Sequence, residues 1–139
     1  MAHLNAIQDP LLKPCLLEQV KANPDVVAAL QQKGFASAET AQTGRTARVN
    51  GKSIRKGDVA LFPDGGDTTF VGEIYWFAKV GSEVVVGCST WPLKKEYGRC
   101  RKVKVEENNS IVCLSQVYQA MIFTPTTVGK IATVIMPVL

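Results

Sequence analysis

The side chains with the widest chemical repertoire in this chain are its four cysteines and its single histidine. A structural zinc site needs four cysteine or histidine ligands in tetrahedral geometry, usually with a closely spaced cysteine pair. No C-x-x-C pair occurs here, and His3 lies near the N-terminus. We therefore expect no metal site and no cofactor. The cysteines are Cys15, Cys88, Cys100 and Cys113.

Catalysis is disfavoured by the same residues. A cysteine nucleophile needs a neighbouring base to form its thiolate, and His3 is the sole histidine. The pair Gly65-Gly66 is too short for a phosphate-binding loop, and no lysine follows it at the required spacing. The sequence therefore predicts a protein that is not an enzyme.

Positive charge is concentrated in two segments of the chain. The 16 Lys and Arg residues against 12 Asp and Glu residues give a formal net charge of +4. Basic clusters attract anionic partners such as nucleic-acid phosphates, although basic side chains in loops and on strand faces are often simply solvated. The candidate nucleic-acid contacts are Arg45, Arg48, Lys52, Arg55 and Lys56 in the first segment, and Lys94, Lys95, Arg99, Arg101, Lys102 and Lys104 in the second.

The overall composition is that of a folded protein. A chain of 139 residues with 46% hydrophobic and 20% charged residues can bury a core of its own. Its first residues lack the basic and apolar regions of a signal peptide, and its apolar runs are too short to cross a bilayer. We expect an intracellular protein with free thiols and no membrane partner.

The first 35 residues predict a helical hairpin. Asp9-Pro10 and Asn23-Pro24 each match an N-cap followed by a proline in the first helical turn. Gly34 would end the second helix in a left-handed conformation. Because two short helices are marginal in water, we expect their apolar faces to pack on the following sheet or on a partner chain.

Residues 36–46 are small and polar and predict a linker, and residues 47–139 predict a β domain. Gly81-Ser82 resembles a two-residue hairpin loop. Six or more short strands with tight turns indicate an all-β barrel or sandwich. The predicted strands are 59–62, 69–80, 83–91, 103–106, 110–114, 120–123 and 131–136. The predicted core residues are Val59, Leu61, Ile74, Val84, Val86, Val112, Leu114, Ile131 and Val134.

The order of motifs in this β region resembles the bromo-adjacent homology (BAH) domain. KGDVALF at 56–62 is similar to the family's G-D-x-V strand, and FVGEI at 70–74 to its aromatic-I-G-x-I strand. VVVGCSTWP at 84–92 is similar to its V-x-V run into an aromatic and a proline, and NSIVCLS and GKIATV near the end resemble its last two strands. The resemblance covers roughly residues 48–137. It implies a mainly β protein with a BAH-like or SH3-like, partly open β-barrel after the helical hairpin.

BAH domains are non-catalytic chromatin modules, and some bind methylated histone lysines in an aromatic cage, where ring faces attract the methylammonium. The resemblance thus implies a nuclear interaction module whose partner is a histone tail or another chromatin protein. The implied pocket contains Trp91 and Tyr97, completed by Trp76 or Tyr75, with Glu106 or Glu107 as the acid. Alternatively, Trp76 and Phe77 are core residues and Trp91 caps a barrel end. Strand alternation places Tyr75 on the face opposite Trp76.

Two other functions fit the same sequence. One is a basic nucleic-acid-binding accessory module of a larger DNA-processing or mobile-element protein. Its two basic segments must then converge on one face, because a phosphate track needs neighbouring cations. The other is a protein-interaction scaffold that uses the helical hairpin as its contact surface. A buried Trp91 would contradict the reader function.

Overall fold

The structure is a computed structural model that describes residues 14–49, 51–63, 69–114, 118–119, 122–123 and 127–136. Within these ranges the protein is mainly β, as predicted, and its sheets are open. The α-helix in the described ranges is α1 (Pro24–Gln32), and a 3-10 helix (Ala38–Thr40) follows it. The strands are β1 (Cys15–Leu17), β2 (Val20–Lys21), β3 (Gln42–Gly44), β4 (Thr46–Val49), β5 (Lys52–Arg55), β6 (Val59–Pro63), β7 (Thr69–Val80), β8 (Glu83–Cys88), β9 (Leu93–Tyr97), β10 (Cys100–Lys104), β11 (Ser110–Cys113), β12 (Tyr118–Gln119), β13 (Ile122–Phe123) and β14 (Ile131–Ile135).

The described strands pair antiparallel in three sheets. A small sheet has the order β1-β4-β5, and a second has the order β13-β14-β10-β9. The largest has the order β11-β8-β7-β3-β2, with β6 joined to β7 and β12 joined to β6. The predicted hairpin at Gly81-Ser82 is confirmed, because Val80 pairs with Glu83 across it.

Three clusters of buried side chains hold these sheets together. The first joins the small sheet to β6, β7 and β8 and includes Ile54 and Phe77. The second joins β6 and β7 to the β10 and β14 strands and includes Trp91. Strand β6 contributes Phe62 to the first cluster and Leu61 to the second. Burial on both faces explains why residues 59–62 are continuously apolar.

The third cluster packs α1 on the outer side of β7 and β8. The Asn23 side chain caps the helix, since its Oδ1 accepts a hydrogen bond from the Val26 N–H at 2.9 Å. Gly34 follows the helix with φ of +83°, as the sequence predicts. Val26 and Leu30 are buried against sheet residues. In the part of the chain that is described, no helix is long and apolar enough to span a membrane.

The first predicted helix is not formed where the structure describes it. Its predicted start, Asp9-Pro10, lies outside the described residues, but Cys15–Leu17 is strand β1. Pairing with β4 buries Leu16 in the first cluster, so a tertiary contact overrides the local helical pattern. The predicted linker is also more ordered than expected, because it supplies β3 to the largest sheet and buries Ala38 and Ala41 in the third cluster.

The predicted strand at 69–80 matches β7, whereas the strand predicted at 103–106 lies at 100–104, and β4, β5 and β9 were not predicted. The turn predicted at 63–67 lies almost wholly outside the described residues. Val84 and Val112 are partly buried against the first cluster. Ile131 was wrongly placed in the core: it is 50% exposed, because it lies on the outer face of β14 opposite Lys104. The confirmed core residues are Val59, Leu61, Ile74, Val86, Leu114 and Val134.

Candidate functional site

The residues of the predicted aromatic pocket lie in separate places. Trp91 is 3% exposed and packs in the second core cluster, whereas Trp76 packs against the third. Tyr97 is 48% exposed on β9. Glu106 forms an ion pair with Lys104, with 3.8 Å between its Oε1 and the lysine Nζ. The structure therefore corrects the predicted pocket, because its three rings do not share a solvent-open site.

Backbone contacts explain the burial of Trp91. Its N–H donates to the Val71 carbonyl at 2.7 Å, which draws the chain after β8 against β7. The preceding residue, Thr90, is clamped by Asn108, whose Oδ1 accepts from the Thr90 N–H at 2.8 Å and whose Nδ2 donates to the Thr90 carbonyl at 2.7 Å. The indole N–H of Trp91 has no acceptor among the described residues. Trp91 is thus a packing residue.

The second basic segment forms the β9-β10 hairpin, and strand alternation divides its cations between two faces. Arg101 Nε lies 3.0 Å from Glu96 Oε1, so these cross-strand partners form an ion pair on one side. Lys95 and Lys102 are the neighbouring cross-strand pair and lie on the other side. Lys104 follows Lys102 by two residues and shares its face. Alternation therefore separates these three lysines from the Arg101–Glu96 pair.

Tyr97 lies on the face of the three lysines. Lys95 Nζ is 5.0 Å and Lys102 Nζ is 6.0 Å from the centroid of its ring, within the range of cation–π attraction. The exposed side chain of Ile131 stands opposite Lys104 on the adjacent strand. We call the surface formed by Lys95, Tyr97, Lys102, Lys104 and Ile131 the basic sheet face.

Two further cations of this segment lie at its irregular positions. Lys94 is the extra residue of a β-bulge, since Lys95 pairs with Lys102 but Leu93 pairs with Val103. Arg99 lies in the turn between β9 and β10, where its Nε donates to the Met136 carbonyl at 3.1 Å. Neither Lys94 nor Arg99 belongs to the basic sheet face.

The first basic segment is split among three positions. Arg48 and Arg55 alternate with buried residues of β4 and β5 and lie on the outer face of the small sheet. Lys52 is exposed at the start of β5. Arg45 and Lys56, joined by a hydrogen bond of 3.1 Å from the Lys56 N–H to the Arg45 carbonyl, line a cavity. Because the two basic segments belong to different sheets, their convergence on one face stays a prediction.

A β-bulge in β7 places Tyr75 and Trp76 on the same face. The register of β7 with β8 shifts between Ile74 and Trp76, which leaves Tyr75 as the extra residue. Ile74 and Phe77 are both fully buried in the first cluster although they are three residues apart, which regular alternation does not allow. The predicted separation of Tyr75 from Trp76 is therefore wrong.

Tyr75 and Trp76 line a cavity of about 440 Å³ beside α1. Trp76 also lines an adjoining cavity of about 430 Å³ that includes Arg45 and Lys56. Gly87 lies against the indole, and a Cβ at this position would overlap three ring atoms of Trp76. A glycine here therefore permits the observed ring position. We call the two cavities, which share Asn23, Val26, Lys56 and Trp76, the indole cavity.

Among the described residues, two titratable groups have shifted pKa values. Cys88 borders the indole cavity but packs in the first core cluster, and burial raises the pKa of its thiol to about 12, which disfavours the thiolate at neutral pH. Burial, and then the negative charge of Glu107, raise the pKa of Glu73. None of the four cysteines forms a disulfide. Across the described ranges, no group of three or more His, Cys, Asp or Glu side chains is placed to hold a metal ion.

Comparison of the chain with protein-family models, with curated proteins and with solved structures finds no match. The BAH resemblance therefore stays a prediction from motif order. The basic sheet face and the indole cavity are the two surfaces of the described residues that combine an aromatic ring with basic side chains.

Proposed function

We propose that the chain is a non-catalytic nucleic-acid-binding module that holds single-stranded segments on the basic sheet face. The supporting observation is Tyr97, 48% exposed, with the Lys95 and Lys102 ammonium groups 5.0 and 6.0 Å from its ring centroid. Proteins bind single strands by stacking bases on exposed aromatic rings and by contacting phosphates with nearby cations. The β9-β10 hairpin carries both kinds of group.

The lysines that now contact the Tyr97 ring do not block a base. A cation–π contact at an exposed site contributes about 0.5–1 kcal/mol. Stacking of a base on an aromatic side chain contributes about 1–3 kcal/mol. A base can therefore displace an ammonium group from the ring, and the displaced Lys95 or Lys102 can then pair with the adjacent phosphate.

The same surface suggests how the binding discriminates among nucleic acids. Lysine ammonium groups contact phosphates without reading base edges, so we expect little sequence preference and a strong salt dependence. Bases within a duplex are already stacked on one another. Single strands should therefore bind more tightly than duplexes of the same length.

This proposal replaces the methyl-lysine pocket because Trp91 is buried. Nuclear location, a histone or other chromatin partner, and a BAH-like relationship stay predictions of the motif order. A nucleic-acid role is compatible with those predictions, since chromatin brings both kinds of partner together.

Fluorescence anisotropy with a labelled oligothymidine tests the stacking part of the proposal. We expect Tyr97→Leu to weaken binding by roughly 5- to 150-fold, which corresponds to loss of about 1–3 kcal/mol of stacking. Tyr97→Phe keeps the ring and should bind nearly as well as the wild type. Equal affinity of the Leu and Phe variants would contradict stacking on this residue.

Salt titration tests the electrostatic part. Each of Lys95→Gln and Lys102→Gln should reduce the slope of log K against log salt by about 0.7, the value for one phosphate contact to a single strand. The matched control is Lys21→Gln, because Lys21 is an exposed lysine on β2 in another sheet. A slope change in Lys21→Gln equal to that in Lys95→Gln, or no affinity at low salt, would reject the basic sheet face as the binding surface.

A further inference from the structure

The indole of Trp76 is positioned as a ligand platform. The bulge at Tyr75 turns it away from the first core cluster, and the missing side chain of Gly87 lets the ring approach the β8 backbone closely. Bulges often occur beside binding sites, where they redirect a side chain. Trp76 is only partly buried, and it lines both halves of the indole cavity. Its ring therefore borders space that a planar ligand could occupy.

The charges around this cavity favour an anion over a cation. Three basic residues, Lys33, Arg45 and Lys56, line it against two acidic ones, Asp25 and Glu18. Asp25 lies in the first turn of α1, where the helix dipole already stabilises its carboxylate. Lys56 borders both halves of the cavity beside Trp76, so an alkylammonium ligand on this ring would meet a like charge.

The basic residues of the cavity are available to a ligand. Among the described residues, Lys33, Arg45 and Lys56 form no ion pair. The backbone hydrogen bond between Lys56 and Arg45 holds these two residues next to each other. Two basic residues that line the same cavity and lack a carboxylate partner form a suitable site for a phosphate group.

The remaining walls of the cavity supply hydrogen-bonding groups. Tyr75, Asn109 and Ser110 line the larger half. Its volume of about 440 Å³ lies within the range of small-molecule pockets, about 300–1,000 Å³. A heteroaromatic base stacked on Trp76 would have polar groups available to its edge.

We propose that the indole cavity binds a nucleoside phosphate, with the base on Trp76 and the phosphate beside Lys56 and Arg45. The phosphate and base belong either to a free nucleotide or to the end of an oligonucleotide strand, which present the same chemistry. The proposal does not depend on the basic sheet face, because no residue is shared between the two surfaces.

The test follows the indole N–H resonances of the two tryptophans during titration with AMP, adenosine or inorganic phosphate. AMP should shift the Trp76 resonance saturably and leave that of buried Trp91 unchanged. Trp76→Leu should weaken AMP binding by roughly 5- to 150-fold, the range for loss of stacking. Lys56→Gln should weaken AMP binding by about two- to fivefold, the effect of one solvent-screened ion pair, without changing adenosine binding.

Three control variants distinguish loss of AMP binding at Trp76 from loss of folding and from effects on the basic sheet face. Trp76→Phe retains a ring and should fold and bind AMP with reduced affinity even if Trp76→Leu does not fold. Lys95→Gln changes only the basic sheet face and should leave AMP affinity unaltered. Gly87→Ala should displace the indole and abolish the AMP-dependent shift in a protein that still unfolds cooperatively. A wild-type protein that binds AMP but shows no affinity for oligothymidine would reject the basic sheet face and support the indole cavity.

The source of the ligand is distinguished by a short oligonucleotide with a terminal phosphate. A Trp76 shift with AMP but not with the oligonucleotide supports a free-nucleotide site, and a shift with both supports a site that also accepts a strand end. Absence of a Trp76 shift with AMP would overturn the proposal. So would a response to inorganic phosphate equal to that of AMP, or unchanged AMP affinity in all three of the Leu, Phe and Gln variants.

Discussion

The basic sheet face and the indole cavity each combine an aromatic ring with lysines, but they are built in opposite ways. On the β9-β10 hairpin, regular cross-strand pairing places Lys95 opposite Lys102 and leaves Tyr97 beside both. On β7, one extra residue breaks the alternation and brings Tyr75 next to Trp76. Aromatic and basic side chains can therefore be brought onto one surface either by the regular alternation of a strand or by a bulge that interrupts this alternation.

The largest loss of stability is expected in the second core cluster, whose side chains are buried, whereas the indole cavity is open to solvent. We expect Trp91→Ala to lower the free energy of unfolding by about 3–5 kcal/mol, because it leaves a cavity among buried side chains. Trp91→Phe should cost less, since it keeps a ring and removes an N–H that has no acceptor among the described residues. Urea unfolding measures both changes.

Trp76→Leu is the corresponding test for the tryptophan of the indole cavity. It should lower the free energy of unfolding by less than Trp91→Ala does, because the Trp76 indole is only partly buried and borders a cavity. A larger loss in Trp76→Leu than in Trp91→Ala would mean that the roles of the two tryptophans are reversed, with Trp76 as the packing residue.

The next largest difference in stability is expected between alanine substitutions at Gly72 and at Gly87. A Cβ at Gly72 would overlap the Ser89 carbonyl oxygen, which is backbone, whereas a Cβ at Gly87 would overlap the movable Trp76 side chain. Gly72→Ala should therefore destabilise the protein by about 1–3 kcal/mol, the usual cost of overpacking. Gly87→Ala should cost less. Thermal unfolding of both variants checks the order, and a lower midpoint for Gly87→Ala than for Gly72→Ala would contradict it.

The sequence predicted the regular elements well and the irregular ones poorly. The bounds of β7, the Gly81-Ser82 hairpin and the second helix follow from alternation, turn residues and the Asn23 cap, which are local properties. Strand β1 forms because Leu16 packs in a cluster made by distant residues, which no local pattern contains.

The two candidate sites were also predictable from sequence only in part. The cations of the basic sheet face could be identified from sequence, but the position of Tyr97 between Lys95 and Lys102 required the strand register. A signal for the bulge was present: Ile74 and Phe77 are large apolar residues three positions apart, and Gly87 interrupts the facing strand. Glycine inside a strand indicates a bulge or a close approach.

A smaller effect is expected at Glu73, which lies on β7 two residues before the bulged Tyr75. Because its pKa is raised in the folded protein, the native state binds this proton more tightly than the unfolded state does. Stability linked to Glu73 is therefore present at low pH and is lost as pH rises from the unfolded-state pKa through the folded-state pKa.

Glu73→Gln should accordingly raise the thermal midpoint at neutral pH, and the gain should disappear at pH values below the ordinary pKa of a glutamic acid. Glu107→Gln should give a smaller gain, since its charge is the lesser of the two causes of the shift. Thermal unfolding as a function of pH measures both. A gain in Glu73→Gln that persists undiminished in acid would show that the carboxylate charge is not responsible.

The smallest expected effect involves no loss of stability and compares the two surfaces directly through their cysteines. Cys100 pairs with Tyr97 beside the basic sheet face and is partly exposed, whereas Cys88 lines the indole cavity but is 1% exposed. Because burial raises the pKa of Cys88 to about 12, very little of this side chain is thiolate near neutral pH. A thiol reagent should therefore alkylate Cys100 in the native protein and Cys88 only after unfolding, as peptide mass spectrometry can show.

Oligothymidine should slow the labelling of Cys100 and AMP should not. Rapid native alkylation of Cys88 would mean that the indole cavity opens more deeply than its structure indicates, and protection of Cys100 by AMP would mean that the two surfaces are not independent.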